Sequence, residues 1–192
     1  MSIDGSQRRQ RLRRATQVAH ARLDALIMDA GFLENRQQYA RYLEATWTAR
    51  KPAELSLDAS DAATLYAAWP ERGVCDALSQ DMDDIAPSRP VEDPSWDRPR
   101  ETLSPGQMLG ILYVLEGSAL GARLLEQRAA AIGMTPAFGA RHMARQTAQP
   151  RGWAGFVAVL ESTTLDPADD ALCMDAAVDT FDAFERAFRA AI

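Results

Sequence analysis

Apolar residues recur every three or four positions through nearly the whole chain, and no segment shows the sustained alternation bounded by turns that marks a strand. The pattern predicts an all-α protein. A first helix is expected over 7–29, with Leu12, Thr16, Ala19, Leu23 and Leu26 as its buried stripe and Gly31 as its stop. A second covers 34–50 and ends before Pro52, and shorter ones fall over 60–69 and 72–83. Five of the ten prolines lie between Pro87 and Pro105, together with Trp96, which predicts an extended, ordered, wrapping loop. Ser104-Pro105-Gly106-Gln107 then has the features of a capped helix start, and a long helix follows to about Ile132, before Gly133. Further helices are expected over 137–146 and 152–162. A last one starts at Asp166-Pro167, with Leu172, Ala176, Phe181, Phe184 and Phe188 on its buried side.

The long helix contains an anomaly. Tyr113 to Ala122 is the most apolar stretch of the chain, yet it carries Gly117 and Gly121. Each interior glycine costs a helix about 1 kcal/mol relative to alanine, and residues four apart share a face. The pair therefore strips side chains from one patch, either for another helix to pack closely or for a flat ligand to lie there.

Composition narrows the class. At 192 residues with 47% hydrophobic content, the chain is expected to form a single domain over residues 1–192. A net charge of −6 gives no general attraction for nucleic acid or an anionic membrane. Five arginines between Arg8 and Arg14 are the basic exception and read as a solvated helix face. Cys75 and Cys173 are too few for a disulfide framework or a cysteine-rich metal site and are expected to be reduced core residues. No signal-like segment precedes the first helix, and the longest uncharged apolar run, Met108 to Leu115, is far short of a membrane span. The expectation is a soluble, cytoplasmic protein with no membrane association.

Histidine is scarce, with only His20 and His142. His20 follows Thr16 and precedes Leu23 and Ile27 at helical spacing, which points its imidazole toward the core side. A hydrogen-bonded core histidine fits that position. Asp24, one turn on, is an exposed acid or the acceptor for Nδ1 that leaves Nε2 free to bind a metal. One histidine on an apolar helix and a second helix bared by glycines, without the ligand cluster a bare metal needs, suit heme. The Glu-x-x-His pairs of a di-iron bundle are absent. Heme also brings two propionates, for which Arg13 and Arg128 are candidate partners.

These residues carry a resemblance. Leu12-Arg13-Arg14-Ala15-Thr16-Gln17-Val18-Ala19-His20-Ala21-Arg22-Leu23-Asp24 resembles the proximal helix of bacterial heme oxygenases. Gly110-Ile111-Leu112-Tyr113-Val114-Leu115-Glu116-Gly117-Ser118-Ala119-Leu120-Gly121 is similar to their distal helix. Weaker echoes are Gly139-Ala140-Arg141, Trp153 with Phe156, and Thr180 to Glu185. The similarity is greatest to the branch encoded beside bacteriophytochromes. It implies an all-helical domain with heme between a proximal and a kinked distal helix. By position it implies His20 as axial iron ligand, Asp24 as its hydrogen-bond partner, and Gly117 and Gly121 as the close distal wall with Ser118 beside bound oxygen. Tyr113, Arg13 and Arg128 are implied around the propionate edge. Ala122 stands where many relatives have another glycine, which predicts a tighter pocket. The implied activity uses heme as cofactor and substrate, with molecular oxygen and electrons from a donor such as ferredoxin or a flavin reductase. Its products are biliverdin, carbon monoxide and ferrous iron, with a bacteriophytochrome as the bilin acceptor. Two other readings stay open at this point: a heme-binding or heme-sensing module without turnover, and a protein of the same fold that binds no heme.

Overall fold

The computed structural model describes residues 7–85, 102–148 and 152–192. Among the described residues, eight α-helices carry the fold: α1 (Arg8–Asp29), α2 (Arg36–Asp58), α3 (Ala62–Leu65), α4 (Cys75–Ile85), α5 (Pro105–Ala131), α6 (Arg141–Thr147), α7 (Gly152–Ser162) and α8 (Pro167–Ala190). A 3₁₀ turn at Trp69–Glu71 leads into α4. Among the described residues no strand forms, only isolated bridges from Thr135 to Phe138 and Gly139. The all-α expectation is met.

Local chemistry sets most boundaries. At α5, the Ser104 hydroxyl accepts from the Gln107 amide while the Gln107 side chain accepts from the Ser104 amide, a reciprocal cap with Pro105 at the first helical position. Asp166 caps α8 through the Asp169 amide at 2.8 Å. Gly31, at φ 67°, ends α1 in the left-handed conformation that side chains resist.

Other boundaries move. The second helix does not stop before Pro52 but runs through it to Asp58. The helix beyond the proline is tied to the core by buried Glu54 and Leu57, and Ser56 Oγ donates to the Pro52 carbonyl at 2.8 Å. Those contacts offset the missing proline N–H. The helix expected over 60–69 shrinks to α3 plus the 3₁₀ turn, and that expected over 137–146 to Arg141–Thr147. Most of the proline-rich segment expected to wrap the domain lies outside the described residues.

α8 is the spine, packing against α1, α2 and α5. It buries Cys173, Ala177, Thr180, Phe181, Phe184 and Phe188, whereas Leu172, expected on this side, is 41% exposed. Both cysteines are free and buried. The N-terminal arginines are not one solvated face. Arg8 is fully buried and its Nε donates to Asp170 at 2.8 Å; Nη1 donates to the carbonyls of Leu160 and Thr163, while Arg11 shares Asp170. This clamp fixes the start of α1 where α7 passes into α8. α5 has the length and apolarity to cross a membrane, but here it is a core helix with Met108, Leu109, Leu112, Val114 and Leu115 buried.

Candidate heme groove

Glycine spacing on α5 explains how one helix both packs closely and leaves a gap. Gly106, Gly110, Gly117 and Gly121 lie on one face of the helix. The first two meet α8. A Cβ on Gly106 would overlap the Asp169 carbonyl, and one on Gly110 would overlap the Cys173 carbonyl and stand 2.9 Å from Ala176 Cβ. Close helix packing therefore accounts for this pair. It does not account for the second: a Cβ on Gly117 would meet only the Trp153 ring, at 3.5 Å, and one on Gly121 would meet nothing within 4 Å.

The open half of that face is apolar. Leu120 and Leu124, beside the two glycines, are 63% and 55% exposed. Across from them runs α1. Tyr113 lies beside Thr16, Arg13 and Arg9 near the start of both helices, and Arg128 shares a cavity wall with Ile27 and Met28 near their ends. α1 and α5 thus run side by side in the same direction, with His20 and the Gly117–Gly121 patch both midway.

His20 does not point into the core. Its side chain is 60% exposed, with one ring edge against Phe181 at a centroid distance of 5.5 Å. Nδ1 sits 3.1 Å from Asp24 Oδ2, itself 63% exposed, which leaves Nε2 available to a ligand. The core-histidine description fits His142 instead. His142 is 1% exposed, and its Nδ1 and backbone amide both meet Asp81 Oδ2, at 2.7 and 3.0 Å. Burial holds its pKa below the usual histidine value, against the pull of Asp81. Sequence spacing put an acid beside His20 but could not show which ring is covered, because the partner of His142, Asp81, is 61 residues away and only tertiary packing brings it there.

The remaining predicted residues divide into groups. Tyr113 is half-buried, stacked at a tilt on Trp153 at 5.6 Å; burial raises its phenol pKa against the contact with Thr16 and the nearby Arg13 and Arg9. Arg13 and Tyr113 are together, but Arg128 is not with them. Fifteen residues of α5 separate Tyr113 from Arg128, about 22 Å along the helix. Arg128 borders a cavity of about 150 Å³ with Ile27, Met28, Gly31, Phe32 and Leu33 at the far end of the groove. The single propionate edge expected for all three is thereby split between two ends. Ala122 is 2% exposed, so its methyl lies in the packing and not on the open wall where it was expected to narrow the pocket.

Ser118 lies at the margin of the glycine face and is turned toward α2 and α6. Its hydroxyl donates to the Leu115 carbonyl at 2.6 Å and accepts from Gln146 Nε2 at 3.3 Å and Arg50 Nη1 at 3.5 Å. Arg50 and Gln146 were missed in the sequence, where a long-range partner of Ser118 leaves no periodic signal. Behind them lie two buried ion pairs, Arg50 with Glu54 at 2.6 Å and Arg72 with Glu116 at 2.7 and 2.6 Å.

Heme fits this groove chemically. An exposed histidine with its second nitrogen already occupied is of the kind that could serve as an iron ligand. Bared backbone flanked by leucines supplies a flat apolar wall. Among the described residues no group of three or more His, Cys, Asp or Glu is placed to hold a bare metal ion, so the ligands a lone iron or zinc needs are not gathered here.

Known proteins agree with the geometry. The family model described as heme oxygenase matches residues 6–190. Heme oxygenase PigA of Pseudomonas aeruginosa is 34% identical over 178 residues, which cover 92% of this chain and 89% of that protein. A heme oxygenase of Neisseria meningitidis, crystallised with NO and CO bound, superposes with a TM-score of 0.81 at 25% identity, covering 95% of this chain and 90% of that one. A heme oxygenase of Leptospira interrogans shares the fold, with a TM-score of 0.73 at 18% identity over 97% of this chain and 98% of that one. With the family model matched over residues 6–190 and a relative 34% identical over 92% of its length, the chain belongs to the heme oxygenase family.

Proposed function

We propose that this chain, as a single domain over residues 1–192, binds heme in the α1–α5 groove and opens it to biliverdin, carbon monoxide and ferrous iron. The observation that carries the reading is the contrast within one glycine stripe. Gly106 and Gly110 are filled by α8, whereas Gly121 has nothing within 4 Å and Gly117 meets only the Trp153 ring, on a helix that runs beside the one carrying exposed His20. Heme, when bound, supplies the iron that activates oxygen and is itself the ring that is opened. His20 would hold the iron through Nε2, with Asp24 accepting from Nδ1 and orienting the ring. Gly117 and Gly121 would let the α5 backbone approach the bound ring closely. Ser118 supplies a hydroxyl at the margin of that wall, in place of a distal carboxylate. Arg13 with Tyr113 holds the propionates at one end of the groove; Arg128 is the alternative partner at the other end.

The reaction needs molecular oxygen and electrons from outside, for which a ferredoxin or a flavin reductase is the proposed donor. The proposed setting is the cytoplasm, with a bacteriophytochrome as acceptor of the bilin. Purified protein loaded with hemin and given ascorbate or a ferredoxin system in air should yield biliverdin by chromatography, trapped carbon monoxide and chelatable ferrous iron. A hemin complex that stays intact under these conditions would show a binding or sensing module instead.

A further inference from the structure

Ser118 is an exposed residue held from behind by buried ones. Arg50, on α2, is 3% exposed, and its guanidinium faces two ways: Nε donates to Glu54 at 2.6 Å and Nη1 to Ser118 Oγ at 3.5 Å. Glu54 is anchored in turn by the amides of Val74 and Cys75, at 2.9 and 3.2 Å. Burial raises the Glu54 carboxyl pKa, but Arg50 and these amides together bring it below the ordinary value, so the pair stays charged. From α6, Gln146 reaches the same oxygen at 3.3 Å. The two arms start from one place. Glu54 and Arg145, neighbour to Gln146, both line a polar surface cavity of about 150 Å³ shared with Lys51, Asp58 and Asp76.

Burying an arginine requires more than one local partner, and an ion pair one helical turn long along α2 needs no contact with α5. The reach to Ser118 is therefore the part of the arrangement that α2 packing does not explain. We propose that Arg50, steadied by Glu54 and assisted by Gln146, is a positioning residue that orients the Ser118 hydroxyl and sets a positive charge behind the distal wall of the groove. The proposal rests on the heme reading for its purpose but not for its geometry. Glu54 offsets the Arg50 charge at Nε, but Nη1 is the end of the guanidinium that reaches Ser118, and the other nearby charges are paired or lie farther off. On α5 and before α4, Glu116 and Arg72 neutralise each other, and on α6 His142 is buried with its pKa lowered. On the same side Cys75 is buried with its thiol pKa raised, and Arg145 lies at the cavity.

The test uses Ser118→Cys in the hemin-free protein, with alkylation rate followed against pH. The native thiols stay silent because burial raises both, Cys173 to about 12. A thiol beside the Arg50 cation titrates below the ordinary value of about 8.5, by about half a unit to one unit. The midpoint should return upward in Arg50→Gln/Glu54→Gln, which removes both charges together, and should stay low in Arg50→Lys. The same double variant in the otherwise native chain should bind hemin but raise the pH midpoint of the visible-band transition of its ferric complex. An introduced thiol that titrates at the ordinary value in Ser118→Cys overturns the proposal without any hemin being present. Failure to bind hemin at all would instead overturn the heme reading.

Discussion

Alanine at Gly121 and alanine at Gly110 should have opposite effects, although the two glycines share one face of one helix. At Gly121 the added Cβ meets nothing within 4 Å, so the helix gains the propensity difference of about 1 kcal/mol. For a chain of this length that raises the hemin-free melting temperature by roughly 2–4 °C. At Gly110 the same methyl overlaps the Cys173 carbonyl and crowds Ala176 and the Ala177 amide, so α5 and α8 must separate. Overpacking of that kind, after the propensity gain is deducted, should cost about 2 kcal/mol, or roughly 4–8 °C. Thermal melts of the two hemin-free variants, followed by circular dichroism at 222 nm, measure both shifts. Hemin titration supplies the second half of the prediction: Gly121→Leu should fold at least as stably as wild type yet bind hemin at least tenfold more weakly, a loss of about 1.4 kcal/mol. If Gly121→Ala destabilises the hemin-free protein as Gly110→Ala does, the patch is a packing surface and the groove is misplaced.

Other consequences follow from the same contacts. Arg8→Met leaves Asp170 without its main partner in the core and should destabilise the protein by about 3–5 kcal/mol in urea melts, with hemin spectra unchanged in the folded fraction. The pKa of His142 is lowered in the fold, so the unfolded chain binds the extra proton; stability is full above about 6.5 and should fall as pH drops below it. Asp81, whose burial is outweighed by bonds from His142 and Arg141, is lowered too and adds a second loss below about pH 3.9. Urea midpoints at pH 7 and 5 should differ in wild type and converge in His142→Gln. Arg13 and Arg128 stand at opposite ends of the groove, so only one can govern heme seating. Arg13→Ala should change the biliverdin isomer ratio on chromatography, and Arg128→Ala should leave it as in wild type.

Elements with a local cause were legible in the sequence. The capping box at Ser104, the Asp166 cap and the Gly31 stop each act within a few residues and appear where the pattern places them. The glycine pair and the His20–Asp24 spacing were legible too, since helical geometry alone puts them on a face. What the pattern could not supply was what stands opposite a face. His20 is exposed and His142 buried because of α8 and α4, both distant in sequence. Pro52 remains helical because Glu54 and Leu57 have tertiary partners, and Arg8 is buried because Asp170 lies 162 residues away. Gly106 and Gly110 escaped notice because a glycine that packs and a glycine that leaves room look alike in a sequence. Likewise, Arg13 and Arg128 share a helical register with the site, but register gives no distance between the ends of a groove.

The central claim is that His20 is the iron ligand of a heme held against the bared face of α5. Hemin titration of wild type and His20→Ala, with the Soret band recorded before and after adding imidazole, tests it directly. The account predicts a saturable one-to-one complex in wild type, an altered band and weaker binding in His20→Ala, and recovery of the wild-type spectrum when imidazole fills the vacated position. An identical band and affinity in His20→Ala would contradict it.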